Sequence, residues 1–256
     1  MAPRISTGLR DYLSMNGSIK RFLNGAIMRI YSGTQPATAD LTDGTLLNTI
    51  TLASGAHTPE ILSAGSITLI GTVGTLPSIT VNSVEILGAT ITFVDTLANM
   101  AIAVAAQINT FNSSPEYTAV PSGAKVIIYA NCGTGTAPNG FAVVAAGAGG
   151  ITTTPVNMGT EVAGVAQVNG ITWGLSTAGV LSKSGVWSGV AGADGTPGYF
   201  RIARSAAEAT GASAVYKRLD GSISTSSADL NINPNVSTNG LTLTIDTFSV
   251  TEPAAE

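Results

Sequence analysis

Few residues of this 256-residue chain carry the side chains that catalysis or metal binding requires. It has one histidine and one cysteine, and 10% of its residues are charged, whereas about a quarter are charged in an ordinary soluble domain. Acid–base, metal and nucleophilic chemistry need such residues close together. The inventory favours a structural or binding protein over an enzyme, and we predict no catalytic, cofactor-binding or metal-binding residues and no cofactor.

The histidine and the acidic residues are the first candidates for chemistry. His57 could act as a base or a metal ligand, but Glu60 is the one carboxylate close to it in sequence, which favours a surface or hinge histidine. Two carboxylates suffice for glycoside hydrolysis, so a depolymerase with a catalytic acidic pair is an alternative. Asp43, Asp194 and Asp220 each precede a glycine, a pattern that predicts turns.

Two glycine-rich segments and one basic cluster complete the candidates. Residues 133–140 and 147–150 lack the Gly-Lys-Ser/Thr sequence of a phosphate-binding loop, so they predict turns and strand connections. The nearest approach to a basic cluster comprises Arg201, Arg204, Lys217 and Arg218. On two adjacent strands they could share one face, as a solvated strand face or as an interface with an acidic partner surface.

Charge and hydropathy exclude several classes of partner. A net charge of −4 argues against nucleic-acid binding, which normally needs clustered Lys and Arg. The apolar runs stay well short of the ~18 residues that span a bilayer, so we expect no membrane partner, and no secretory signal is visible. The sequons at Asn16, Asn112 and Asn235 therefore predict no glycosylation. Cys132 is expected to be reduced and at least half-buried.

Periodicity predicts short strands throughout, with helices in two regions of the chain. Residues 6–24 form one or two short helices that begin at Ser6 or Thr7, and a longer helix spans 97–111 behind a Thr96 cap. Before this helix we predict strands at 26–31, 46–52, 67–73, 79–86 and 90–94. After it we predict strands at 117–120, 125–130, 140–145, 168–173, 179–182, 185–190, 198–203, 216–224 and 241–250, with turns at Asp194-Gly195, Asp220-Gly221 and Asn239-Gly240.

These elements predict a mainly β fold in two domains. Residues 1–62 plus 166–256 form a discontinuous outer β-sandwich or jelly roll of eight strands, and 63–165 form an inserted α+β domain with one helix on an antiparallel sheet. Residues 252–256 form a loose tail. Four aromatic residues are expected as core or interface anchors, with core favoured: Trp173, Trp187, Tyr199 and Phe200.

Several blocks of the outer domain resemble a known family. They are Ser6-Thr-Gly-Leu-Arg-Asp-Tyr-Leu13, the segment 27–40, Gly179-Val-Leu-Ser-Lys-Ser-Gly-Val-Trp-Ser-Gly189 with Gly198-Tyr-Phe-Arg201, Leu219-Asp-Gly-Ser222, and Thr244-Ile-Asp-Thr-Phe-Ser-Val250. Together they cover about 60% of the chain. They resemble a family of virion structural proteins of tailed bacteriophages. The insert is similar to α+β units in other phage structural proteins, through Thr80-Val-Asn-Ser-Val-Glu-Ile86, the helix and Pro138-Asn-Gly-Phe141.

The resemblance implies a component of the phage particle and carries over no catalytic residues. We expect a capsid decoration, or cement, protein that forms a homo-oligomer, a trimer, on the head lattice. Its partner would be the major capsid protein, and its location the outer surface of the virion head after assembly in the bacterial cytoplasm. The alternative is a neck, collar or tail component, including one that contacts the host surface.

Overall fold

The computed structural model describes residues 3–15, 17–233 and 235–251. The fold is mainly β, with 40% of residues in strands and 11% in helices. The chain divides into two compact units, residues 1–59 with 167–256 (unit 1) and residues 60–166 (unit 2). The inserted domain predicted from the sequence spans 63–165. Asn16 and the predicted loose tail at 252–256 lie outside the described residues.

The described residues contain three helices and nineteen strands, most of them short. The helices are α1 (Thr7–Met15), α2 (Ile19–Leu23) and α3 (Leu97–Thr110). The strands are β1 (Arg4–Ile5), β2 (Ile27–Ser32), β3 (Leu46–Leu52), β4 (Ala64–Ile70), β5 (Thr75–Val81), β6 (Val84–Glu85), β7 (Ile91–Thr92), β8 (Tyr117–Ser122), β9 (Lys125–Ala130), β10 (Val143–Ala148), β11 (Thr152–Val156), β12 (Thr172–Trp173), β13 (Val180–Ser184), β14 (Trp187–Val190), β15 (Pro197–Ala203), β16 (Arg218–Ser224), β17 (Leu230–Asn231), β18 (Thr242–Ile245) and β19 (Ser249–Thr251).

Unit 1 contains a large sheet and a small one around an apolar core. The large sheet runs β1-β16-β15-β2-β3-β14-β18, all antiparallel, with β17 parallel to β16. The small sheet runs β12-β13-β19. Trp173 lies edge-on to Trp187 at 4.8 Å between ring centroids, and Phe248 lies edge-on to Phe200 at 5.3 Å. Trp173, Trp187, Tyr199 and Phe200 are all buried, which confirms the core assignment.

Strand β15 is buried on both faces. Phe200 and Ile202 alternate into the apolar core, while Tyr199, Arg201 and Ala203 point to the opposite face because successive side chains of a strand alternate. The loops 33–45 and 204–217 cover that second face, since Arg201 donates hydrogen bonds to backbone carbonyls of both loops. No periodic pattern in the sequence predicts this second, polar core.

Unit 2 has one helix among its described residues and two four-stranded antiparallel sheets. One sheet runs β10-β5-β6 with β7 also on β5, and the other runs β11-β4-β9-β8. The Thr96 side chain accepts a hydrogen bond from the Asn99 backbone N–H at 3.1 Å, as an N-cap does. Buried residues of α3 share a core with both sheets. The predicted strands therefore divide between two sheets, and β11 had not been predicted.

Two strand predictions and one turn prediction are wrong in detail. The predicted strand 79–86 breaks at Asn82-Ser83, whose φ angles of 48° and 66° make the two-residue turn between β5 and β6. The predicted strand 241–250 divides into β18 and β19. Asp220-Gly221 is not a turn but lies inside β16, because the Asp220 carboxylate has a buried partner in the neighbouring strand.

Candidate functional site

Charged side chains converge on the second face of the large sheet. The strand register aligns Arg4 with Asp220, Asp220 with Arg201, and Arg201 with Arg29. Arg218 lies two residues before Asp220 and therefore on the same face. We call Arg4, Arg29, Arg201, Arg218 and Asp220 the arginine cluster.

The centre of the cluster is a buried bidentate ion pair. Arg201 Nε donates to Asp220 Oδ1 and Arg201 Nη2 to Asp220 Oδ2, each at 2.8 Å, and both side chains are fully buried. This fork geometry is the strongest form of the arginine–carboxylate contact. Burial raises the pKa of Asp220 above its ordinary value, and the hydrogen bond from Arg201 acts against that rise. We expect the ionised pair at neutral pH, because both carboxylate oxygens accept guanidinium hydrogen bonds.

The second buried guanidinium, that of Arg218, has backbone carbonyls as its partners. It donates to the carbonyl oxygens of Glu208, Thr210 and Gly211 in one loop and of Ala39 in another. Burial lowers the pKa of Arg218, although arginine stays protonated at any ordinary pH. The cluster thus uses charge to tie the 33–45 and 204–217 loops to the sheet.

Two tyrosines complete this face. Tyr31 stacks on Tyr199 with ring centroids 5.1 Å apart. The Tyr199 hydroxyl oxygen accepts a hydrogen bond from the Gly44 N–H at 2.6 Å. Burial raises the pKa of Tyr199 to about 12 and also raises that of Tyr31. Both phenols are therefore neutral near pH 7 and act as packing and hydrogen-bonding groups.

The predicted basic cluster does not form one surface. Arg201 and Arg218 are fully buried, so the interpretation as a solvated strand face is wrong for both. Arg204 Nη1 donates to the carbonyls of Arg21, Phe22 and Asn24, which caps the end of α2. Lys217 Nζ lies 5.3 Å from the centre of the Tyr12 ring. The physical reason is that the loops fold over β15 and β16, which periodicity could not predict.

The other carboxylates considered as candidates accept hydrogen bonds from backbone N–H groups. Asp43 accepts from the Gly211 N–H and Asp194 from the Asn239 N–H, each at 2.8 Å. Glu60 accepts from the Gly133 and Gly135 N–H groups, each at 2.7 Å.

The two single-copy residues are partly or largely buried. His57 is half-buried and its Nε2 lies 3.2 Å from the Gly25 carbonyl oxygen; burial lowers the pKa of His57. Cys132 is buried, as expected.

One cleft that sequence reasoning missed brings two carboxylates together. Asp229 and Asp246 line an open cleft of about 480 Å³ with Lys183 and Phe248. The Asp229 carboxylate accepts from the backbone N–H and the hydroxyl of Ser222, at 2.8 and 2.7 Å. The signal was weak, since each aspartate lies in a Ser/Thr-rich segment and no pattern in the sequence links Asp229 to Asp246.

Searches for other kinds of site and for similar proteins were negative. Within residues 3–15, 17–233 and 235–251, no group of three or more His, Cys, Asp or Glu is placed to hold a metal ion. None of the described helices is long and apolar enough to cross a membrane. Comparison with known proteins finds no matching family model, no similar curated protein and no similar solved structure.

Proposed function

We propose that this protein is a non-catalytic structural component of a tailed-phage virion, acting as a capsid decoration protein. It would bind the assembled head lattice as an oligomer and stabilise it, because a ligand that binds only the assembled state shifts the equilibrium towards that state. The sequence blocks that resemble phage structural proteins motivate the assignment. It would stabilise the lattice through the surface buried between subunits.

The observation that carries the proposal is that the buried side chains of the arginine cluster bind only groups within the protein. Arg201, Arg218 and Asp220 are completely buried and bind one another or backbone carbonyls. Guanidinium groups held in this way fix loops rigidly on a sheet, and they offer no hydrogen-bond donors to a substrate. A rigid scaffold with charge directed inward suits a protein that works by presenting a preorganised surface.

We further propose that unit 1 is a β-sandwich of the jelly-roll type and that unit 2 is inserted into it. The large and small sheets share one aromatic core through Trp173, Trp187 and Phe248, as the two layers of a sandwich do. Unit 2 begins and ends between β3 and β12 of the other unit.

Exposed apolar side chains on unit 1 support the oligomer, for which we propose a trimer. Val190, at the end of β14, is 55% exposed and Leu241, just before β18, is 62% exposed. The Ala191 N–H donates to the Leu241 carbonyl at 2.9 Å, so the two segments are adjacent. A closed symmetric assembly buries such residues without further growth. Light scattering of the Val190→Ser, Leu241→Ser variant should show loss of the oligomer.

The copy number per particle tests the proposal. Purified phage particles would be broken gently, emptied heads separated from tails, and this chain quantified against the major capsid protein by mass spectrometry. A decoration protein should remain with heads at a copy number comparable to that of the capsid protein. A few copies that travel with tails or necks would overturn the decoration role and favour a neck, collar or tail component.

A further inference from the structure

One edge of the large sheet of unit 1 is unpaired. Strand β18 hydrogen-bonds to β14 on one side, and no described strand pairs with its other side. Across from it lies the segment 229–233, whose strand β17 pairs with β16. No backbone hydrogen bond joins this segment to β18 within the described part of the chain.

A continuous groove follows the unpaired edge. The 480 Å³ cleft and a second cavity of about 180 Å³ share three lining residues, Asn231, Asp246 and Thr247. Together the two cavities extend along the chain from Leu243 to Ser249, with the 229–233 segment as the opposite wall. The groove therefore has a strand edge along one side, the arrangement that strand addition requires.

Apart from its short length of four residues, strand β18 lacks the features that normally prevent pairing. Exposed edge strands are usually protected by lysine, proline, a bulge or inward-pointing charge. Strand β18 reads Thr242-Leu-Thr-Ile245, with the threonines exposed and Ile245 buried, and its pairing with β14 is regular. Strand β18 is therefore an extended strand in regular geometry with no described strand bonded to its second side.

The charge of the groove indicates what it would bind. Asp229 and Asp246 line it, and Asp246 is exposed. Lys183 also lines it, but the Lys183 ammonium donates to the Gly185 carbonyl at 2.9 Å and lies 5.9 Å from the centre of the Trp187 ring. The groove therefore complements a cationic segment.

We propose that the groove between β17 and β18 binds an extended polypeptide segment that carries Lys or Arg side chains. The segment adds to β18 as a new strand, and its basic side chains face Asp246 and Asp229. This inference is independent of the virion assignment, since it concerns a peptide-binding edge of the isolated chain.

Synthetic peptides test the proposal directly. A fluorescein-labelled octapeptide of alternating Thr and Val with two lysines would be titrated with the purified full-length protein by fluorescence anisotropy. Two altered peptides are compared with it: one with glutamates in place of the lysines, and one that is the lysine peptide N-methylated at alternate residues. The lysine peptide is also titrated with the Asp246→Asn protein. Asp11→Asn is the matched control, because Asp11 is an exposed carboxylate on α1.

The expected result is saturable binding of the lysine peptide and weaker binding of the glutamate peptide. N-methylation should abolish binding, since it removes the backbone donors of the ladder. Asp246→Asn should weaken binding about two- to fivefold, the range for an exposed ion pair, and Asp11→Asn should not change it. Hydrogen exchange should slow at residues 242–245 when the lysine peptide is bound.

Three results would overturn the proposal. Absence of binding at about millimolar protein would remove the site. Binding that survives N-methylation would show electrostatic attraction without strand addition. Loss of binding on self-association, with the 242–245 amides already protected in a dimer, would show that the edge serves a second copy instead. None of these results bears on the copy number in phage particles, which tests the virion assignment separately.

Discussion

The buried ion pair makes the sharpest prediction for stability. Asp220→Asn would leave the Arg201 guanidinium fully buried without its anionic partner. Arg201→Met would likewise leave the Asp220 carboxylate fully buried without its cationic partner. Breaking a buried pair from one side costs about 3–5 kcal/mol. For a unit of about 150 residues, that corresponds to a fall of about 6–20 °C in Tm.

The double variant separates the pair from its surroundings. Arg201→Met with Asp220→Leu removes both charges, so we expect it to cost less than the sum of the single variants and at most about as much as Arg201→Met alone. Arg201 also donates to the Leu41 and Ala209 carbonyls. Arg201→Met and the double variant both lose these two bonds, so their loss sets the residual cost of the double variant without changing its comparison with Arg201→Met.

Tryptophan fluorescence during urea and thermal unfolding measures these changes, because Trp173 and Trp187, the only tryptophans, both lie in unit 1. Lys217→Met is the control, since its contact with the Tyr12 ring is worth about 0.5–1 kcal/mol. Single variants that cost no more than this control, or a double variant that costs the sum of both, would refute the view that the pair organises the polar core.

Three further predictions concern separate parts of the molecule. Arg218→Lys cannot reproduce four directed donors, so hydrogen exchange should accelerate in residues 204–217 while the apolar core of unit 1 keeps its protection; unchanged exchange in that loop would contradict its role. Thr96→Ala should destabilise unit 2 by about 1 kcal/mol by removal of the α3 N-cap, measured by circular dichroism in urea against Thr92→Ala in β7. His57 should titrate below its ordinary pKa of 6.5 by NMR, because burial disfavours its cation. The free energy of unfolding should then decrease as the pH falls below about 6.5, since the unfolded chain binds the proton more tightly. A titration midpoint at or above 6.5 would contradict this prediction.

The helices and much of the strand order were predictable from local pattern. Helix α3 follows from an apolar stripe at 3.6-residue spacing behind Thr96, and strand β3 at Leu46–Leu52 coincides with its predicted bounds. Trp187 and Phe200 could be assigned to the core because large aromatic residues bury most area. These predictions agree with the folded structure because they depend on residues that are close in sequence.

The polar core could not be predicted in the same way. Asp220 precedes a glycine, and the local preference of that pair for a turn is overridden by a partner in the adjacent strand, Arg201. Arg218 looked like a surface cation because its four carbonyl acceptors lie in loops without periodicity. The cleft at Asp229 and Asp246 likewise depends on which strands end beside one another.

The sequence by itself determined a mainly β chain, the helical regions at 6–24 and 97–111, the burial of the large aromatic residues and the scarcity of groups for chemistry, because composition and short-range periodicity carry that information. Tertiary structure alone decided that Arg201, Arg218 and Asp220 are buried and that β18 pairs on one side only among the described strands. The physical reason is that burial of a charge and pairing of a strand edge depend on contacts between segments far apart in the chain, where a partner's position sets the free energy.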